Sequence, residues 1–352
     1  MSVNTDSVPL RILVIRLSAM GDVAMTVPVV AALRKVAPKA RIVMLTPSFL
    51  QPFFREIEGL EFFAPDFKKR HKGLPGIWRL SRDLGTFDMV ADLHDVIRSK
   101  MLRRMMERRG SRVAYIDKGR EEKKALVSLE EKVKRQLKTT VERYREVFCS
   151  LGFDLPPIEA PARLYYELNA DVRALAGERT RHWIGISPFA QHRGKIYPLD
   201  QMEQVIAWLS RLPETRLFIF GGGPAERAYA ERMQATYPQV VSVIGRVRLA
   251  QEMELISHLD LMVSMDSSGM HMASLVGVPV VSIWGATHPY AGFYGLGQDP
   301  KDAVQLDMWC RPCSIYGNKP CAFDEYPCMM NLRPQMVVEK VCRKLGVACP
   351  EE

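Results

Sequence analysis

Apolar residues in this chain come in short blocks, separated by longer stretches in which they recur at helical spacing. Residues 11–16 (RILVIR) hold four apolar side chains between charges and suit a buried strand. After LSAMGD the spacing turns helical over residues 23–37, and Pro38 closes that helix. Residues 41–46 (RIVMLT) and 87–93 (FDMVADL) read as further strands. Strand, Gly-containing turn, helix, strand is the grammar of a parallel sheet, whose crossovers are helical.

The same grammar restarts in the second half. Strands are expected at 183–187, 217–220, 240–244, 261–264 and 278–283, with helices at 199–209, 225–237, 249–259 and 269–275 between them. Two runs that each restart at a strand predict an α/β protein with two doubly wound domains rather than one large sheet. A length of 352 residues accommodates two cores. The charged stretch 118–148 reads as helical and 155–162 is Pro-rich, which places the boundary there; residues 334–345 again have helical spacing.

Composition changes this picture little: 47% hydrophobic and 25% charged residues describe a globular chain. Apolar runs are short, such as 278–284, which contains one Pro and one Ser, and fall far below a membrane span. The N-terminus, MSVNTDSVPL, has neither a basic nor an apolar leader region, so a soluble cytoplasmic protein is expected. Charge adds more. A net charge of +9 favours an anionic partner: nucleotide phosphates, nucleic acid or an anionic lipid surface. Seven Arg or Lys lie between residues 98 and 112, and more follow to 138 interleaved with Glu, a pattern that also fits a solvated helical face. No nucleic-acid motif accompanies them, so nucleic-acid binding is set aside. Of seven cysteines, Cys149 stands alone and six fall between 310 and 349, unlike a secreted disulfide framework.

Four loops just past predicted strand ends hold candidate chemistry. In the first, Arg16 and Ser18 precede Gly21, which permits a tight turn, and Asp22, which opens the helix as either a reactive carboxylate or a capping one. In the second, Asp266, Ser267, Ser268 and Gly269 start a helix whose backbone N–H groups suit phosphate, with His271 on its first turn; capping residues beside an incidental histidine are the other reading. In the third, Arg193 and Lys195 could neutralise a pyrophosphate or be solvated loop charges. The fourth is the Gly221–Gly223 run, where Glu226 could accept hydrogen bonds from ribose or sugar hydroxyls or the run could be a plain strand–helix turn. The last three together favour a nucleotide-diphosphate pocket. Cys310, Cys313, Cys321 and Cys328 could hold zinc, but the second pair is not a CxxC, and disulfides or free thiols are the favoured reading.

The blocks RILVIRLSAMGDVAMTVPVVAALRK and MDSSGMHMASLVGVPVVSIWGATHP, with FDMVADLH between them, resemble the family 9 glycosyltransferases, the ADP-heptose:lipopolysaccharide heptosyltransferases, over nearly the whole chain. The resemblance implies a GT-B fold, two facing Rossmann-like domains with a cleft between them. It implies an acceptor-side domain at 1–165, a nucleotide-sugar domain at 166–333, and a C-terminal helix in 334–352 packing back on the first. It further implies an inverting transfer that requires no metal or other cofactor. Asp22 would be general base, Arg16, Ser18 and Gly21 would line the acceptor side, and Lys195 and Arg193 would face the diphosphate. Asp266, Ser267, Ser268, Gly269 and His271 would form the donor loop, and Glu226 would meet the ribose. The implied partners are ADP-heptose and an anionic lipid-linked saccharide of the lipopolysaccharide core, with at most a peripheral contact at the inner membrane through residues 98–138. Ala190 and Gln191 stand where better-known members carry hydroxyl residues, and Val247 where the adenine would pack. A non-transferase relative, a sugar-nucleotide epimerase or a nucleotide-binding module, is the alternative.

Overall fold

The structure is a computed structural model and describes residues 9–350; residues 1–8, most of the stretch read above for a leader, lie outside it. The chain divides into two compact units. The first takes the residues up to Lys118 and then Thr140–Glu159, and the second takes Gly119–Thr139 and the residues from Ala160 onward.

In chain order the first half runs β1 (Arg11–Ile15), α1 (Met20–Ala24), α2 (Val27–Val36), β2 (Arg41–Leu45), β3 (Glu61–Phe63), α3 (Gly73–Leu84), β4 (Met89–Asp92), α4 (Ile97–Glu107), β5 (Arg112–Tyr115), α5 (Arg120–Leu126) and α6 (Thr140–Ser150). The strands form one parallel sheet, ordered β3-β2-β1-β4-β5. Strand β1 is buried along its length after Arg11, as a central strand covered on both faces must be. The helix expected over 23–37 breaks in two: the Thr26 hydroxyl donates to the Val23 carbonyl at 2.7 Å, and Pro28 sits in the first turn of α2. The single helix expected over 118–148 is also two, α5 and α6, and α5 belongs to the second unit. The stretch between them is held by specific bonds there: Lys132 Nζ donates to the carbonyls of Cys310 and Pro312, both at 2.8 Å, and Leu137 N–H to the Tyr290 carbonyl at 2.9 Å.

The second half continues with α7 (Ala170–Ala176), β6 (His182–Ser187), α8 (Leu199–Leu209), β7 (Thr215–Ile219), α9 (Pro224–Thr236), β8 (Val240–Ser242), α10 (Leu249–Ser257), β9 (Leu261–Met265), α11 (Ser268–Leu275), β10 (Val280–Ile283), β11 (Ala303–Val304), α12 (Pro327–Met330) and α13 (Pro334–Leu345). Its sheet is also parallel, ordered β11-β10-β9-β6-β7-β8. Each expected strand is present to within a few residues. The destination of the C-terminal helix differs from expectation. Val337, Val338, Val341 and Cys342 of α13 are buried in the second unit's own core with Ile206, Val263 and Ile283, so the apolar face expected to return to the first domain is already used.

In both sheets the strand order reverses at one place, between β1 and β4 and between β6 and β9. Helices leaving the two strands there go to opposite faces, which opens a crevice at the carboxyl ends of the strands. Ligands of open α/β sheets bind at such a switch point.

Candidate active site

Side chains bridge the switch point in each unit. In the first, Arg16 follows β1 with its guanidinium buried. One nitrogen donates to the Leu93 carbonyl beyond β4 at 2.7 Å, and the other pairs with Asp22 Oδ2 at 2.6 Å. The Tyr144 ring lies 5.7 Å from the guanidinium carbon. Asp22 is the third residue of α1 and its Oδ2 also accepts the Ala19 N–H at 3.3 Å, so it caps the helix as well as pairing. Both contacts use Oδ2, and the side chain remains 28% exposed. A carboxylate fixed through one oxygen and open at the other can accept a proton. Gly21 lies inside α1, not in the tight turn expected of it.

Across the crevice, His94 Nε2 stands 3.4 Å from Ser18 Oγ. The imidazole is buried, its Nδ1 has no partner among the described residues, and burial with Arg16 and Lys118 nearby pushes its pKa down to about 4. It is therefore neutral at physiological pH. Beneath it, buried Asp92 accepts the backbone N–H groups of His94 and Asp95 through Oδ1 and pairs with Arg103 through Oδ2 at 2.8 Å. The sequence reading missed His94, Asp92 and Tyr144. The one available signal was that DLHD ends a strand, as the other candidate loops do.

In the second unit, Lys195 lies in the loop after β6 and Asp266 in the loop after β9. They form an ion pair of 2.9 Å across the switch point, with Asp266 almost wholly buried. The Lys195 stem lies against Gly317, whose φ of +74° keeps that backbone free of a side chain. Ser267 holds the N-cap position of α11 but makes no capping side-chain bond, its hydroxyl lying 3.4 Å from Ser264 Oγ, and Ser268 and Gly269 form the first turn. The N–H groups of that turn have no acceptor within the helix. Gly269 is required for packing: a Cβ there would collide with Ser187 of β6 and stand 3.0 Å from Ser264 Oγ. His271 is buried on the following turn position of α11. Glu226, in the first turn of α9, accepts the Gly222 N–H at 2.6 Å, which folds the glycine loop over its carboxylate. Arg193 is exposed, 5.9 Å from the Tyr326 ring and outside the Lys195–Asp266 pair. Val247 is half-buried.

The cysteines carry no part of either cluster. All seven are free thiols, and among the described residues no three His, Cys, Asp or Glu side chains are placed to hold a metal ion. Burial raises the Cys328 thiol to about 11. Among the described residues no helix is long and apolar enough to cross a membrane.

Two doubly wound parallel sheets in one chain give the protein the two-domain architecture of the GT-B fold. Residues 77–324 match the sequence profile described as "Glycosyltransferase family 9 (heptosyltransferase)", and the chain belongs to that family. It is 20% identical over 327 residues to lipooligosaccharide heptosyltransferase 2 of Campylobacter jejuni, covering 92% of this chain and 95% of that one. A family 9 glycosyl transferase from Veillonella parvula has the same fold, with a TM-score of 0.69, 20% identity and coverage of 97% and 99% of the two chains. So does the Escherichia coli ADP-heptose lps heptosyltransferase II, with a TM-score of 0.68, 18% identity and coverage of 96% and 98%.

Proposed function

We propose that this glycosyltransferase moves heptose from ADP-heptose to a lipopolysaccharide core acceptor by one inverting displacement, with Asp22 as general base. The observation that carries the chemistry is the Asp22 carboxylate, tied through Oδ2 to buried Arg16 at a sheet switch point with Oδ1 left for an acceptor. The names of the C. jejuni and E. coli proteins support the sugar, the nucleotide and the acceptor class.

In this scheme Oδ1 takes the proton of the acceptor hydroxyl as its oxygen bonds to the anomeric carbon. The bond from that carbon to the diphosphate oxygen breaks in the same step, and ADP leaves with the electron pair. Attack opposite the leaving group inverts the configuration. Lys195 and the N–H groups opening α11 receive the developing phosphate charge. Asp266 aims the Lys195 amine, Ser267 and Ser268 offer hydroxyls, and Glu226 faces the ribose once Gly222 yields. Ser18 and neutral His94 border the acceptor side, and the peptide run through Gly21 brings α1 close to it.

The test is ADP release from ADP-heptose in the presence of core acceptor, together with ADP affinity by calorimetry. Asp22→Asn is expected to keep ADP affinity and lose about 10²–10⁴ in turnover. Turnover near wild type would remove Asp22 from the role of base. A melting shift with UDP or GDP in place of ADP would keep the transferase and change the donor.

A further inference from the structure

The first unit exposes apolar side chains that neither its core nor its site uses. Leu74 and Trp78 of α3 are 65% and 51% exposed, and Ile97 at the start of α4 is 78% exposed. Helix α3 buries Ile77, Leu80 and Leu84, so Leu74, Trp78 and Arg82 follow one another along its outer face. The Arg82 guanidinium lies over the Trp78 ring at 4.7 Å. Arg98, in the first turn of α4, lies over Phe67 of the loop before α3 at 4.8 Å. That contact brings the beginnings of α3 and α4 to one end of the unit. Because α4 follows β4, this end is the carboxyl edge of the sheet, the edge at which α1 presents Asp22.

Charge fits the same surface. Residues 66–83 hold six Lys or Arg against two Asp. Arg70 is bound in a two-pronged pair to Asp83 at 2.6 and 2.7 Å, while Lys68, Lys69, Lys72 and Arg79 are exposed. The longer basic run at 98–138, the expected site of membrane contact, is largely engaged within the units: Arg103 with Asp92 and Asp95, Lys118 with the Asp95 carbonyl, Lys132 with Cys310 and Pro312, Lys134 with Asp307. Scattered exposed apolar residues need no explanation. Here they share one edge and are set among cations, and a tryptophan with basic neighbours is the composition of a surface that seats in lipid headgroups.

We propose that this edge, formed by residues 66–82 and the start of α4, docks on the anionic headgroup surface of a bilayer. Leu74, Trp78 and Ile97 enter the headgroup layer and Lys68, Lys69, Lys72 and Arg79 meet its charge, each cation near the surface contributing roughly fivefold in partitioning. The use of such docking rests on the proposed function: a lipid-linked acceptor would meet Asp22 at the membrane face. The binding itself does not.

The experiment is co-sedimentation of the full chain with phosphatidylcholine vesicles and with vesicles that also contain phosphatidylglycerol. Wild type is expected to sediment with the anionic vesicles only, and less as salt is raised. Leu74→Ser with Trp78→Ser, and separately Lys68→Glu with Lys69→Glu and Lys72→Glu, are each expected to weaken that binding about tenfold or more while the melting shift with ADP stays unchanged. Equal sedimentation of wild type with both vesicle types would overturn the proposal, as would wild-type binding by the apolar pair variant. A wild-type dimer that becomes monomeric in the apolar pair variant would assign the patch to a second copy of the chain and overturn it too. Loss of the ADP shift in wild type would sink the donor assignment and leave this one standing.

Discussion

At the residue scale the Lys195–Asp266 pair does two jobs that can be separated. It neutralises a carboxylate that is 3% exposed, and it fixes the amine proposed to meet the diphosphate. Removing one partner of a buried pair leaves the other uncompensated, whereas removing both does not. Lys195→Ala is therefore expected to cost about 3 kcal/mol of stability and to weaken ADP binding about tenfold to a hundredfold. Adding Asp266→Asn should restore most of the stability and none of the affinity, read by denaturation and calorimetry on the same preparations. Recovery of both would make the lysine a purely structural partner. The sequence placed these two residues in loops past strand ends but not in contact, because a pair separated by seventy-one positions is formed only by the strand order. His94 was invisible for the same reason: its partner Ser18 lies seventy-six positions away, and burial, not composition, keeps it neutral.

At the scale of elements, the alternation of buried strands and helices was legible because parallel strands covered on both faces read as continuous apolar runs. The segments that misread were charged or amphipathic ones, where local pattern gives a helix but not its neighbour. Residues 118–148 have helical composition, yet Lys132 and Lys134 reach Cys310, Pro312 and Asp307 and hold the middle of the stretch out of helix. The valines of α13 predict a helix and say nothing about which core receives them. One helix–strand contact is specific enough to test. Gly269 lets α11 start directly on Ser187 of β6, where a Cβ would collide with the serine side chain. Gly269→Ala should cost about 1–3 kcal/mol by overpacking and displace the first turn of α11, lowering ADP affinity. Ser187→Gly in the same chain removes the colliding atoms. Stability and ADP affinity of the double variant should both exceed those of Gly269→Ala, a coupling expected of residues in contact. Additive losses would mean that Ser187 does not set the approach of α11.

At the scale of the whole molecule the two units should answer acid differently, because their buried titratable groups differ in kind. In the first, burial and the nearby Arg16 and Lys118 hold His94 down at about 4, against an ordinary value near 6.5. Between those values the unfolded chain binds a proton that the native unit refuses, so stability rises with pH from about 4 to about 6.5 and is level above. The second unit holds His288, also lowered to about 4 by burial and by Arg311 and Lys134, which gives the same rise. It also holds Glu252 in α10, whose carboxyl burial raises to about 7. There the native unit keeps a proton that the unfolded chain has lost, so stability falls as pH rises from about 4.5 to about 7. The two slopes oppose one another over most of their range. Acidification from pH 7 to 5 should therefore destabilise the first unit and leave the second nearly level, seen by calorimetry as a lower-temperature transition that separates as the pH falls. Glu252→Gln replaces a protonated carboxyl by an amide of the same shape. It should leave the melting temperature at pH 4 almost unchanged, raise it increasingly above wild type from pH 5 to pH 7, and hold the difference level above. His94→Gln should flatten the acid sensitivity of the first transition alone. A constant offset between Glu252→Gln and wild type at every pH would show that the Glu252 carboxyl titrates alike in the folded and unfolded chain.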